Sequence, residues 1–142
     1  MKTRIASALE KAQFGYDIAI TYDYVDVAAA TTATAVPGPS VLAGAKVQVV
    51  GHKLITAFDG GAGTALTLSV GDGGSATALM AATVIAVDGT EVYWHVGGSA
   101  KVYLVDDAVD FFWTDAGSMA YTSGQGVVYL RVENMTEWPV AS

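Results

Sequence analysis

Hydrophobic side chains alternate with small or polar ones along much of this chain, and that alternation is what most restricts its fold. The clearest run covers residues 14–24, in which every second side chain is aromatic or aliphatic. Successive side chains of a β-strand point to opposite faces, so a period of two predicts a strand that is buried on one side. Shorter runs of the same kind cover residues 66–70, 92–96, 109–113 and 127–132. The pattern predicts an all-β chain.

Turn signals separate these runs, among them Asp88-Gly89, Gly97-Gly98 and the glycines that follow Phe58. Several short strands divided by turns at intervals of roughly 8–12 residues are typical of a sandwich or a barrel. We therefore expect a single-domain, antiparallel β-sandwich of jelly-roll type with about eight strands. Residues 14–132 form this predicted domain.

Four segments depart from the alternation. Residues 1–13 have apolar side chains at helical spacing, so we expect a short helix or arm there, dispensable for the fold. After Tyr24 the apolar positions slip by one residue, which predicts a bulge or bend. Residues 28–44 are rich in small residues and proline, which predicts a long connection or a weak edge strand. For residues 75–82 the sequence predicts a short helical turn. Residues 133–142 form a predicted tail.

Charge and composition restrict the partners. The chain has 142 residues, with 14 acidic and 7 basic side chains, a net charge of −7 and no cysteine. Nucleic-acid binding relies on lysine and arginine to neutralise phosphates, so we expect no nucleic-acid partner. No apolar stretch approaches the roughly 20 residues that span a bilayer, and no secretory signal is expected, so the prediction is a chain without a membrane partner, made in a cytoplasm.

The residues that carry catalytic or metal chemistry are few. His52 and His95 are the only histidines, and neither belongs to a spaced set of zinc ligands. Acidic residues between 106 and 115 resemble a calcium loop in composition but lack its order, so a solvated acidic turn is the better interpretation. The glycine-rich segments lack the lysine of a phosphate-binding loop. We expect no catalytic residues, no cofactor and no metal, and hence no enzyme.

The aromatic residues divide into core and interface candidates. Alternation places Trp94 and Trp113 in the core, whereas tyrosine is common in protein contacts. Trp138 lies in the tail, where an apolar side chain is ordered only if it docks on something. The candidate interface residues are Ile5, Leu9, Tyr16, Tyr22, Tyr24, Met135 and Trp138.

A family resemblance suggests a function. The segments LAGAKVQVV, TALTLSVGDGGSATALMAATVI, VYLVDDAVDFFWTDAG and SGQGVVYLRVENM follow one another within residues 14–135 and resemble small virion proteins of tailed bacteriophages. In that group a strand like LTLSVGDGG precedes a short turn, and a late strand, here residues 126–132, closes the sandwich.

The resemblance implies a capsid decoration, or cement, protein on the outer surface of the virion. Its implied partners are the major capsid protein and copies of itself, as a dimer or a trimer. The alternatives are a carbohydrate- or receptor-binding module of a tail or fibre and a portal- or tail-joining protein.

Overall fold

The computed structural model describes residues 1–30, 34–60, 66–85 and 98–134, together with the backbone of residues 94 and 95. These residues form ten strands and two short helices. In chain order the elements are β1 Lys2–Ile5, α1 Ala8–Phe14, β2 Ile18–Asp23, α2 Tyr24–Ala29, β3 Val36–Val41, β4 Lys46–Asp59, β5 Leu66–Asp72, β6 Ser75–Ile85, β7 Trp94–His95, β8 Lys101–Val102, β9 Asp107–Thr114 and β10 Ser123–Glu133.

Two antiparallel sheets pack face to face, which confirms the predicted β-sandwich. The first sheet has the order β1-β2-β10-β4-β7, with β8 also paired to β4, and the second has the order β3-β9-β5-β6. Strands that are distant in sequence are therefore neighbours in both sheets. In the first sheet β10 lies between β2 and β4, so the last strand ties the beginning of the chain to its middle.

The core lies between the sheets and is built from the apolar side of each alternating run. On β9, Val109, Phe111 and Trp113 are fully buried, which confirms the core position predicted for Trp113. On β2, Ile18, Ile20 and Tyr22 face them. Burying one such large side chain contributes about 1.5–3 kcal/mol relative to leaving it in water, and this burial stabilises the sandwich.

The helical turn predicted for residues 75–82 is wrong, because this segment belongs to strand β6. The cause is the turn before it, where the Asp72 carboxylate accepts hydrogen bonds from the backbone N–H groups of Gly74 and Ser75, each at 2.9 Å. The turn sends the chain back along β5, where the backbone hydrogen bonds of a sheet are available. Helical spacing in this alanine-rich segment was the weaker signal.

The slip after Tyr24 is produced by a helix, α2, rather than by a bulge. Asp23 caps its first turn by accepting hydrogen bonds from the N–H groups of Val25 and Asp26, and the Asp26 carboxylate accepts the N–H of Asp23 in return. This reciprocal capping box satisfies backbone donors that would otherwise be left free at a helix start.

The weak edge expected within residues 28–44 is confirmed. Strand β3 pairs only with β9 among the described strands, and its two prolines, Pro37 and Pro39, occur where a strand has a free edge. Strand β4 is irregular beside Gly51, where its register with β10 shifts opposite Tyr129 and Leu130.

The beginning of the chain is integrated into the sandwich. β1 is an edge strand of the first sheet, and the amino group of Met1 forms an ion pair with Asp26 at 2.7 Å. The alternation predicted for residues 14–24 holds only from Ile18, because Phe14 ends helix α1 and Gly15 follows it in the left-handed conformation, with φ of 70°.

Candidate functional site

The N-terminal segment lies across the outer face of the first sheet, the face turned away from the core. Ala6 donates a backbone hydrogen bond to Asp17 at 2.8 Å, so the segment closes a loop with helix α1 inside it. Beneath the loop a small apolar cluster of Ala6, Tyr16, Ala19 and Val127 packs on this outer face. The segment therefore has a hydrophobic seat of its own, separate from the main core.

Three polar side chains hold helix α1 in place. Arg4 donates hydrogen bonds to Glu10 at 2.7 Å and to the Tyr16 hydroxyl at 3.2 Å, and this hydroxyl donates to the second oxygen of Glu10 at 2.8 Å. The hydrogen bond from Arg4, aided by the N–H of Ser7, holds the pKa of Glu10 well below its usual range. Glu10 is therefore ionised at any ordinary pH, and its ion pair with Arg4 is retained.

The end of α1 is tied to strand β10. Arg131 donates a hydrogen bond from Nε to the carbonyl of Gly15 at 3.1 Å, and Lys11 lies 3.3 Å from the Asp17 carboxylate. Asp17 also accepts the backbone N–H of Val132 at 2.7 Å. These contacts fix both ends of the loop to the sheet, so the side chains that it carries have a defined position.

Three large apolar side chains on this segment are left in solvent. Ile5 is 54% exposed, Leu9 is 64% exposed and Phe14 is 66% exposed. Ile5 lies at the sheet edge on the side of its core partner Ile18, whereas Leu9 and Phe14 are both on helix α1. Exposed apolar side chains that are grouped on one surface usually mark a contact site. Because the hydrogen bonds described above hold the segment, its exposure does not reflect a frayed end.

Phe14 also borders a shallow groove of about 240 Å³, lined by Tyr16, Lys53 and Tyr129 as well. The ring centres of Phe14 and Tyr16 are 6.4 Å apart, and those of Tyr16 and Tyr129 are 4.6 Å apart at an angle of 60°. The groove thus combines aromatic surface with one cation.

Positive charge is concentrated on the same face. Register places Lys2 opposite Thr21 and Arg4 opposite Ala19, both on the side of β2 that faces away from the core. Lys53 pairs with Val127 on that side, and Lys11 lies on the helix above it. All seven lysines and arginines lie in the described residues, and six of them belong to this surface, which we call the cationic face: Lys2, Arg4, Lys11, Lys46, Lys53 and Arg131.

A second exposed apolar surface lies on residues 101–107, which we call the acidic loop. Val102 is 49% exposed, Val105 is 68% exposed and Leu104 is 87% exposed. The loop is held by backbone hydrogen bonds between Tyr103 and the segment 44–45, and by the bond from the N–H of Ala43 to Asp106 at 2.9 Å. Its apolar side chains, like those of the N-terminal segment, project from a fixed backbone.

Carboxylates surround the acidic loop. Asp72 is buried against Lys101, and the hydrogen bonds from Lys101, Gly74 and Ser75 lower its pKa even though burial opposes this shift. Burial, and then the charges of Asp107 and Asp72, raise the pKa of Asp110 to about 6. Burial together with the same carboxylates raises the pKa of Tyr103. This end of the molecule therefore has a negative potential that a single lysine does not neutralise.

The structure separates the predicted interface residues into several groups. Leu9 is exposed on the cationic face, and Tyr16 is mostly buried there with its ring lining the groove. Ile5 is exposed at the edge strand β1, on the side of the sheet that its partner Ile18 turns to the core. Tyr24 is 37% exposed on α2, outside the cationic face. Met135 and Trp138 lie outside the described residues.

Tyr22 requires a correction, because its side chain is fully buried and has no surface for a partner. It faces the second sheet on the core side of β2, where its hydroxyl contacts His52. The assumption that Tyr16 and Tyr22 share a face was wrong, because Tyr16 precedes the strand and packs on the opposite side of the sheet.

Sequence reasoning missed Phe14, Lys53 and the acidic loop as surface features. Val102 and Leu104 have the two-residue spacing of a half-buried strand, but β8 ends at Val102 and Leu104 faces solvent. The signal available in the sequence was the pair Leu104-Val105 directly before Asp106-Asp107, since adjacent apolar residues followed by two acids suit a turn better than a half-buried strand.

The candidate metal ligands have structural roles. The Asp106, Asp107 and Asp115 carboxylates accept backbone N–H groups in turns, and Asp115 also accepts the Tyr121 hydroxyl. His52 is buried in the core, and the side chain of His95, like that of Trp94, lies outside the described residues. Within residues 1–30, 34–60, 66–85 and 98–134, no group of three or more histidine or acidic side chains is placed to hold a metal ion.

Comparison with known proteins gives no assignment: no family model, no curated protein and no solved structure matches the chain. In the part of the chain that the structure describes, neither helix has the length and hydrophobicity needed to cross a membrane.

Proposed function

We propose that this chain is a structural subunit of a tailed-phage particle, a capsid decoration protein that binds the outer surface of the shell in many copies. The observation that carries the proposal is the presence of two separate, fixed apolar surfaces, on the N-terminal segment and on the acidic loop. The sequence resemblance to small phage virion proteins supplies the kind of particle.

A subunit of an array needs more than one contact surface, because each copy touches the shell and its neighbours. Many equivalent copies also make weak contacts sufficient, since binding at one place raises the effective concentration at the next. Two surfaces that each expose large apolar side chains suit this task better than one deep cleft. The main partner in this proposal is the major capsid protein, and the location is the surface of the virion, after synthesis in the host cytoplasm.

The charge of the chain favours the outside of a capsid. With a net charge of −7, a copy that faced packaged DNA would meet like charge over most of its surface. The cations of the cationic face are interleaved with Glu10, Asp17 and Glu133, which form ion pairs with Arg4, Lys11 and Lys46. This arrangement suits a protein partner better than a phosphate backbone.

The test is co-sedimentation of the purified chain with capsids of the tailed phage whose genome encodes it. We expect the wild-type chain to sediment with capsids, and Leu9→Asp or Leu104→Asp to reduce the bound fraction. Val84→Asp is the matched control, since Val84 is 63% exposed on β6, paired with Thr67 at the end of the second sheet remote from Asp72. Retention on DNA with no capsid affinity, or a chain that no phage encodes, would overturn the proposal.

A second candidate function is carbohydrate binding by a tail or fibre module. The groove between Phe14, Tyr16 and Tyr129 supports it, because sugars stack on aromatic rings and Lys53 would favour an acidic sugar. A glycan array separates the two candidates: binding that is lost in Tyr129→Ala but kept in Leu104→Asp would favour the carbohydrate module.

A further inference from the structure

We propose that copies of this chain associate head to tail, with the acidic loop of one copy seated on the cationic face of the next. The contact is one between copies, and it stands whether or not the larger particle is a phage capsid. Both surfaces consist of described residues. The acidic loop of one copy occupies the cationic face of the next copy.

Charge complementarity is the first argument. Six of the seven basic side chains lie on the cationic face, where Arg4, Lys11 and Lys46 pair with Glu10, Asp17 and Glu133, so the six cations outnumber these three carboxylates. The seventh, Lys101, is engaged by Asp72 beside the acidic loop. The loop end carries Asp72, Asp106, Asp107 and Asp110. Opposite potentials on two surfaces of one molecule attract the unlike surfaces of two copies and repel the like ones.

Matching apolar groups are the second argument. Leu9 and Phe14 are exposed on the cationic face, while Val102, Leu104 and Val105 are exposed on the acidic loop. A stable contact needs a desolvated apolar centre with a polar rim, and charge alone gives mainly orientation and speed of association. The two surfaces each supply both components.

Both surfaces are already ordered before they bind. The network of Arg4, Glu10 and Tyr16 fixes the first surface, and the hydrogen bonds from Ala43 to Asp106 and from Gly73 to Asp107 fix the second. Ordering flexible side chains and loops is a large part of the cost of association, so fixed surfaces lose less free energy when they meet.

The geometry of the assembly follows from the use of two different surfaces. A contact between unlike surfaces is heterologous, and such contacts form a closed ring when the rotation between copies allows it. Two cationic faces in contact would instead bring surfaces of like charge together. The predicted homo-oligomer is therefore a head-to-tail assembly.

The experiment is light scattering coupled to size-exclusion chromatography on the full chain, at roughly 50 mM and 1 M salt. We expect a mass above that of the monomer at low salt and a shift toward the monomer at high salt. Wild-type chain that stays monomeric at every concentration, or an assembly that salt leaves unchanged, would overturn the proposal. The experiment needs no capsid, so failure of the proposed contact between copies is distinguishable from failure of the proposed function.

Two charge variants test the surfaces. Lys53→Glu alters the cationic face, and Leu104→Lys alters the acidic loop at a side chain that is 87% exposed and so does not support the fold. We expect each to weaken self-association roughly tenfold or more. The matched control Val84→Lys, on β6, should associate like the wild type. Normal association of either surface variant would contradict the assigned contact.

Mixing the two variants identifies the head-to-tail arrangement. Lys53→Glu retains an intact acidic loop, and Leu104→Lys retains an intact cationic face, so an equimolar mixture has one intact contact and should form a one-to-one complex. A mixture that remains monomeric while the wild type associates would exclude the contact. Retention of monomeric wild-type chain on heparin, lost in Lys53→Glu, would assign the cationic face to a polyanion instead and overturn the proposal.

Discussion

The hydroxyl of Tyr22 lies 2.6 Å from Nε2 of His52, and both side chains are fully buried. Tyr22 is on β2 and His52 is on β4, two strands that are separated by β10. The ring of Tyr22 crosses β10 at Gly126, the residue whose missing side chain leaves room for it. A polar contact thus joins strands that share no backbone hydrogen bond, inside an aromatic core that includes Trp113 and Phe58.

Replacing Tyr22 with phenylalanine tests this contact. The change keeps the ring and removes only the hydroxyl, so the fully buried His52 loses that hydrogen bond. We expect the free energy of unfolding to fall by about 1–3 kcal/mol, measured by urea denaturation. Tyr24→Phe is the matched control, because the same atom is removed from a residue that is 37% exposed, and it should change stability by less than about 0.5 kcal/mol.

Gly126→Ala tests the crossing itself. A Cβ atom at this position would overlap the phenol ring of Tyr22, so the ring or the strand must move. We expect a loss of about 1–3 kcal/mol in the free energy of unfolding, as for other overpacked sites. Gly74→Ala is the control, since its Cβ would meet only the Asp72 carboxylate at 3.4 Å. Equal stability of the two variants would show that Tyr22 does not lie on Gly126.

The raised pKa of Asp110 predicts a pH dependence of stability. The folded chain holds this proton up to about pH 6, whereas an unfolded aspartate releases it near its ordinary value of about 3.9. Between these values the folded state binds more protons, so stability falls as the pH rises from about 4 to 6. Asp110→Asn should remove this slope and raise the free energy of unfolding at pH 7.5 by about 1–2 kcal/mol. Glu133→Gln, at an exposed carboxylate, should leave the slope unchanged.

Local pattern predicted the strands whose two sides differ in polarity, and it failed where a turn or cap decided the structure. On β9 the alternation of Val109, Phe111 and Trp113 matches their burial. In residues 75–82 small and apolar side chains fit a helix or a strand equally well, and the turn capped by Asp72 selected the strand. The capping pair Asp23 and Asp26 was visible in the sequence but was outweighed by the preceding alternation.

The candidate site was less accessible to prediction because it depends on which strands become neighbours. Lys2, Lys53 and Arg131 are far apart in sequence and share a face only through the order β1-β2-β10-β4. Periodicity within one strand contains no information about that order. Ile5 and Leu9 were predicted as contact residues from their place near the chain start, whereas the fixed position that gives them this role comes from Arg4, Glu10 and Tyr16.

Residues 1–13 contribute to the sandwich, although the sequence predicts that they are dispensable for the fold. In the structure β1 completes the first sheet, Ala6 is buried in the outer cluster, and Met1 pairs with Asp26. Removing residues 1–13 deletes a strand, leaves the edge of β2 unpaired and exposes Tyr16 and Val127. We expect a loss of about 3 kcal/mol or more in the free energy of unfolding, from lost backbone hydrogen bonds and apolar burial.

Ser7→Ala provides a graded comparison for the truncation. It removes only the side chain that caps α1, with its hydrogen bond to the N–H of Glu10 at 3.2 Å, so it should cost about 1 kcal/mol. Thermal unfolding followed by circular dichroism measures both variants. If the truncated chain unfolded at the wild-type temperature, residues 1–13 would be an appendage on a complete sandwich. The cationic face would then rest on a detachable segment, because Lys2, Arg4 and Lys11 belong to it, and the rigidity assigned to this face would be lost with it.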